Sequence, residues 1–177
     1  YTSVNTLSLH DALPILLLAA ALAPAQSVQV THGAAPFQVY QRDGANQAAI
    51  HLEGTSSGKS VEARLIAAGR SVAGFDWKQL ATVSQKNWSG DLKAVPVGGP
   101  YRIELRAAGA TETTSIDNIL VGDLWVLAGQ SNMEGVGNLV NTPLPSALVN
   151  SFDQTDIWVA AADPLAHIEV PTSWFMT

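Results

Sequence analysis

Along the chain, apolar and polar positions alternate in short runs before they merge into longer apolar ones. Tyr101-Arg-Ile-Glu-Leu-Arg106 alternates strictly, with Tyr101, Ile103 and Leu105 on one side and charges on the other. Val61-Glu-Ala-Arg-Leu65 repeats the pattern. Side chains in a strand point to opposite faces in turn, so each run predicts a half-buried strand. Phe37 to Tyr40, Ala48 to Leu52 and Trp88 to Val95 are further short candidates. Asp43-Gly44, Ser57-Gly58, Gly69, Ser89-Gly90, Gly98-Gly99-Pro100 and Gly109 punctuate them. Short strands at this spacing predict an antiparallel, β-sandwich-like domain over residues 28–115. The polar stretch Ala107–Thr114 is a turn able to close it, which sets the boundary near Ser115.

Beyond that boundary the pattern changes. Ile116 to Asn118 lead into Leu120–Ala128, which has neither alternation nor helical spacing. A short apolar run closed by Gly129 predicts a strand buried on both faces, as in a parallel sheet. Gly129-Gln130-Ser131-Asn132-Met133 then falls at the C-terminal end of that strand, where open α/β sheets bind ligands. Thr142-Pro143-Leu144-Pro145 forbids a long regular helix directly afterwards. Ile157–Ala162 is one more apolar run, ended by Asp163-Pro164. The last residues, Val170–Thr177, form no recognisable ending.

The N-terminus carries two patterns of a different kind. Thr6–Ile15, TLSLHDALPI, is the translation of one frame of a common sequencing adapter, ACT CTT TCC CTA CAC GAC GCT CTT CCG ATC. Residues 1–15 are therefore expected to be artefactual, and the adjacent His10 and Asp11 to have no functional meaning. Leu16–Ala23 is apolar, and Ala23 and Ala25 occupy the −3 and −1 positions of a cleavage site before Gln26. Residues 16–25 thus read as the remnant of a signal peptide, and the expected localisation is exported, periplasmic or extracellular. The run is too short to cross a bilayer, which takes ~20 residues. No membrane span is expected in the mature protein.

Composition narrows the chemistry. Charged residues make up 14% of the 177, against the ~25% usual in soluble domains, and the net charge is −6. Nine scattered basic residues give no basic face, so nucleic acid is not an expected partner. With no cysteine, disulfides, thiolate metal sites and cysteine nucleophiles are excluded. No metal and no cofactor is expected, and nothing in the sequence sets the oligomeric state.

Several motifs lose their first meaning on inspection. Gly54-Thr-Ser-Ser-Gly58-Lys59-Ser60 has three residues between its glycines where a phosphate loop needs four, and a strand follows it. His51-Leu-Glu53 and His167-Ile-Glu169 match the His-x-Glu of zinc deaminases without the cysteine ligands. Asn87-Trp88-Ser89 fits a glycosylation acceptor. Trp77 and Trp88 could form a sugar-stacking face, although core tryptophans are commoner.

Ser131 remains. The chain has four Gly-x-Ser triplets, at Gly54, Gly58, Gly69 and Gly129. The first three lie in the β-rich region as turn residues, and only the fourth follows a predicted buried strand. It is not a nucleophile elbow, since Met133 stands where that motif has its second glycine. Asp117–Met133, DNILVGDLWVLAGQSNM, resembles the start of the catalytic domain in the sialate O-acetylesterase-like family of the SGNH hydrolases. Gln130 stands where the superfamily's Gly-Asp-Ser block has its acid. Val95-Pro-Val-Gly-Gly-Pro-Tyr101 resembles the end of that family's β-rich part, and Ser151-Phe152 and Trp158–Leu165 fit a subgroup more loosely.

The resemblance implies a three-layer α/β/α (SGNH, flavodoxin-like) domain whose truncated start is residues 116–177. It implies an acetylated sugar or oligosaccharide as substrate and Ser131 as catalytic nucleophile. Gly129, Gln130 and Asn132 would be oxyanion or substrate contacts. The family's base comes from an Asp-x-x-His block near the end of the domain. Asp163 and His167 have one residue too many between them and follow Ser131 too soon, and Glu134 reads as a surface residue. The chain is therefore expected to carry its nucleophile without its base and to be inactive alone. The alternatives are an acetyl xylan esterase and a non-catalytic sugar-binding or structural β-module of an exported protein.

Overall fold

The computed structural model describes residues 26–129, 140–153, 155–163 and 165. Eleven strands run in chain order: β1 (Val28–His32), β2 (Val39–Gln41), β3 (Gln47–Ser56), β4 (Ser60–Ala67), β5 (Arg70–Ser71), β6 (Lys78–Thr82), β7 (Asn87–Pro96), β8 (Gly98–Ala107), β9 (Thr114–Gly122), β10 (Asn150–Phe152) and β11 (Trp158–Ala160). Among the described residues there is no helix.

The first nine strands form two sheets. One has the order β1-β3-β7, all antiparallel. The other has the order β2-β9-β8-β4-β5, with β6 also on β4. Its β2–β9 pair is parallel. The chain crosses between the sheets at β1–β2, β2–β3, β3–β4, β6–β7 and β7–β8, and the Gly54–Ser60 stretch holds the end of β3 and the turn that crosses to β4. Alternation explains the core. Ala48, Ile50 and Leu52 of β3 face Val61, Ala63 and Leu65 of β4 and Ile103 and Leu105 of β8 in one buried cluster. Ile50, Leu52, Leu65, Ile103 and Leu105 are fully enclosed, each burial worth about 1.5–3 kcal/mol.

Alternation also breaks where the sheets curve. Ala48 pairs with Val95 and Ile50 with Leu92, so one residue of β3, Ala49, opposes two of β7, Lys93 and Ala94. The extra residue is a bulge, with Ala94 in the left-handed region at φ +59°. Leu92 and Val95, three apart, therefore both point inward. A second bulge, at Asn118 (φ +62°), lets Ile116 and Ile119 both bury.

The described N-terminal part is built of strand sheets alone, as expected of a β-sandwich-like fold. Strand β9 runs through Ser115 and the sheet ends at Gly122. Of the run Leu120–Ala128, only Leu120 and Val121 are buried. Leu124, Trp125, Val126 and Leu127 are exposed coil, Val126 at 90%, so the described residues do not make that run a strand buried on both faces. The physical reason lies in pairing: β9 is held between β8 and β2, and β2 ends opposite Gly122. Phe37, expected in a strand, sits at φ +65° in the turn before β2.

Candidate active site

Strand β9 delivers the chain toward Ser131, and its exit is fixed by β2. The Arg42 guanidinium grips the Asp123 carboxylate with both edges, Nε to Oδ1 at 2.9 Å and Nη2 to Oδ2 at 3.2 Å. Gln41 Nε2 adds a longer contact to Oδ1 at 3.4 Å, and Gln41 Oε1 accepts from the Leu124 amide at 2.8 Å. The hydrogen bond from Arg42 holds the Asp123 carboxyl below the usual carboxylate range. Four polar atoms, on Gln41 at the end of β2 and on Arg42 just after it, thus set the direction in which the chain leaves the sandwich.

The chain continues as exposed coil to Gly129. Gln130, Ser131 and Asn132 lie outside the described residues, as do Glu134, His167, His10 and Asp11. Asp163 is exposed. Downstream, β10 and β11 pair as a hairpin, with the Phe152 and Trp158 rings 5.4 Å apart. One side chain ties the hairpin to the sandwich. Asn150 Nδ2 donates to Phe37 O at 2.7 Å and to Asn118 O at 3.2 Å. Both carbonyls belong to residues in the left-handed conformation, so a single amide closes the turn before β2 and the bulge of β9 together.

The most concentrated polar chemistry among the described residues lies on the three-stranded sheet. His51 is directly opposite Asp91, and Glu53 is opposite Ser89. His51 Nδ1 is 2.6 Å from Asp91 Oδ1, and its Nε2 is 3.0 Å from Glu53 Oε1 and 3.3 Å from Ser89 Oγ. The row has the composition of a Ser-His-Asp triad, and Glu53 decides against it. With a carboxylate at each ring nitrogen, both nitrogens are placed to donate, which favours the imidazolium over a neutral base. Its pKa is raised by the hydrogen bond to Asp91 first and that to Glu53 second. Ser89 has no group there to take its proton. The sequence places both strands but not their register, so it shows His51 and Glu53 without Asp91 and Ser89.

The two tryptophans do not share a face. Trp88 is 3% exposed and its Nε1 has no hydrogen-bond partner. Trp77 is half-buried on the other sheet between two guanidiniums, Arg64 at 4.7 Å and Arg106 at 4.2 Å from its ring centre. Those arginines pair across strands with Glu104 and Glu62. Trp77 is thus a packed layer over an ion-pair ladder, unlike an open sugar platform. No group of three or more His, Cys, Asp or Glu among the described residues is arranged to hold a metal ion.

Comparison with known proteins brings the serine stretch back. Residues 121–175 match the family model described as carbohydrate esterase, sialic acid-specific acetylesterase. That segment is thus similar to the sialate O-acetylesterase-like carbohydrate esterases. The match begins at the last buried residue of β9 and contains Ser131, the Asp123 anchor and the β10–β11 hairpin. A solved structure of a carbohydrate acetylesterase from Xanthomonas citri is similar at 24% identity and a TM-score of 0.37. The similarity covers 61% of this chain and 22% of that one, so the chain spans under a quarter of that protein's length. No curated protein matches.

Proposed function

We propose that this sequence belongs to an exported carbohydrate esterase that removes O-acetyl groups from sugars through Ser131. The observation that carries the proposal is the GQSNM pentapeptide inside the matched segment 121–175. It is supported by an anchor on Asp123 and Leu124 at the start of that segment. Ser131 Oγ attacks the acetyl carbonyl, the alcohol of the sugar leaves, and water hydrolyses the acyl-enzyme to acetate. Backbone N–H groups around Ser131 stabilise the oxyanion, with Gly129, Gln130 and Asn132 as neighbouring contacts.

In this reading the sandwich ends at Gly122 and a three-layer α/β/α domain begins with the run after it. Exposed Leu124, Trp125, Val126 and Leu127 are then its first strand, buried once its neighbours are present. The base that activates Ser131 is supplied by an Asp-x-x-His block that these 177 residues do not contain, so the chain alone does not hydrolyse esters. Export rests on the cleavage pattern before Gln26. No helix among the described residues is long and apolar enough to cross a membrane. Sialic acid and xylan remain alternative carriers of the acetyl group.

Acetate release from acetylated oligosaccharides tests the proposal. A longer protein containing this sequence and the Asp-x-x-His block is expected to release acetate, and Ser131→Ala to lower kcat by at least about 10³-fold. The 177-residue chain is expected to release none above background. Undiminished release by Ser131→Ala, or serine-dependent release by the chain alone, would count against it.

A further inference from the structure

A cleft of about 520 Å³ opens beside β1, β3 and β7 and the turn that precedes β7. Its walls include Glu53, Thr82, Ser84, Asn87, Trp88 and Ser89. Three hydroxyls, one carboxamide and one carboxylate in this wall offer both donors and acceptors at close spacing. Glu53 is pre-oriented, because His51 holds its carboxylate at 3.0 Å and is itself held by Asp91 at 2.6 Å. The indole N–H of Trp88 is the one buried side-chain polar atom among the described residues that lacks a partner. Trp88 lines the cleft while its side chain is buried in the core, so its indole N–H resonance reports on changes at the wall.

Charge selects among ligands. No lysine or arginine lines the cleft, and His32 is the single imidazole in its lining. Two carboxylates, Glu53 in the wall and Asp91 behind it, flank the single His51 imidazole, so this cluster carries no net positive charge. An anionic sugar would find no guanidinium or ammonium to pair with, and a neutral one meets hydroxyl, amide, imidazole and carboxylate partners.

We propose that this cleft is a binding subsite for a neutral sugar residue of a glycan. It contains no residue of the Ser131 turn, so it stands or falls independently of the catalytic proposal. Binding is read in the full chain carrying Ser131→Ala by titrating xylotetraose and cellotetraose while following the Trp88 indole N–H resonance. That resonance is assigned by its disappearance in Trp88→Phe. A saturable shift is expected with at least one of the two neutral sugars, with a dissociation constant on the order of 1 mM. Asn87→Ala at an exposed position and Glu53→Gln at a half-buried one are expected to weaken it about tenfold each, in line with one lost polar contact apiece. N-acetylneuraminic acid at equal concentration is expected to leave the resonance in place. No saturable shift with either neutral sugar, shifts unchanged in both variants, or an equal response to N-acetylneuraminic acid would overturn the proposal.

Discussion

Gly54 is where two strands and an indole meet too closely for any side chain, which makes it the sharpest test of the sandwich. A Cβ placed there would lie 1.8 Å from Gln29 O and 2.8 Å from Trp88 Cζ2. Ordinary contacts to a carbon begin at about 3.4 Å, so β1 would have to move by roughly 1.5 Å relative to β3. That distance breaks the ladder that pairs Val28, Gln29 and Val30 with Ser56, Thr55 and Gly54. It also disturbs Trp88 in the core. Overpacking of this kind costs about 1–3 kcal/mol, and the lost strand pairing places Gly54→Ala at about 3 kcal/mol or more. Gly44 is the control: it is exposed in the turn before β3, and a Cβ there meets nothing within 4 Å. Gly44→Ala is expected within about 0.5 kcal/mol of the parent. Urea unfolding followed by tryptophan fluorescence measures both midpoints. Equal midpoints for Gly54→Ala and the parent would refute the β1–β3–β7 packing.

Three further outcomes follow from single contacts. Asn150→Ala removes both hydrogen bonds that tie the β10–β11 hairpin to Phe37 and Asn118, and a loss of about 1–2 kcal/mol is expected locally. Hydrogen exchange at the Ala161 amide, which bonds Val149 O, should quicken while exchange in β8 stays unchanged. His51 is expected to titrate above the ordinary histidine value, and Asp91→Asn to bring it down, as followed by its ring proton shifts. Because its folded pKa is the raised one, its stabilising contribution is complete below about 6.5 and fades as pH climbs through the folded value. Arg42→Ala should free the Asp123 carboxylate, returning its pKa upward toward the usual range and loosening the Leu124 amide to exchange.

How much of this was legible in the residues depends on what set each feature. Strands β3, β4, β7 and β8 could be read because alternation is a local consequence of the pleat, and Val61–Leu65 and Tyr101–Arg106 carry it cleanly. The bulges at Ala94 and Asn118 could not, since each is a compromise between two strands far apart in sequence. The same blindness to register hid the His51–Asp91 pair, although both strands were expected. Leu120–Ala128 misled for a different reason: an apolar run records a need for burial and leaves open which partners supply it. In the described residues only Leu120 and Val121 find them. The serine stretch was legible through its own residues, and the match over residues 121–175 agrees with that reading of the family.

The central claim, that Ser131 is an activated nucleophile, is tested most directly by covalent trapping. A fluorophosphonate is incubated with a longer protein that contains this sequence and the Asp-x-x-His block, and the adduct is mapped by peptide mass spectrometry. The account predicts one adduct, on Ser131, absent in Ser131→Ala and absent in the 177-residue chain alone. An adduct on another serine, or acetate release by a protein whose Ser131 stays unlabelled, would contradict it.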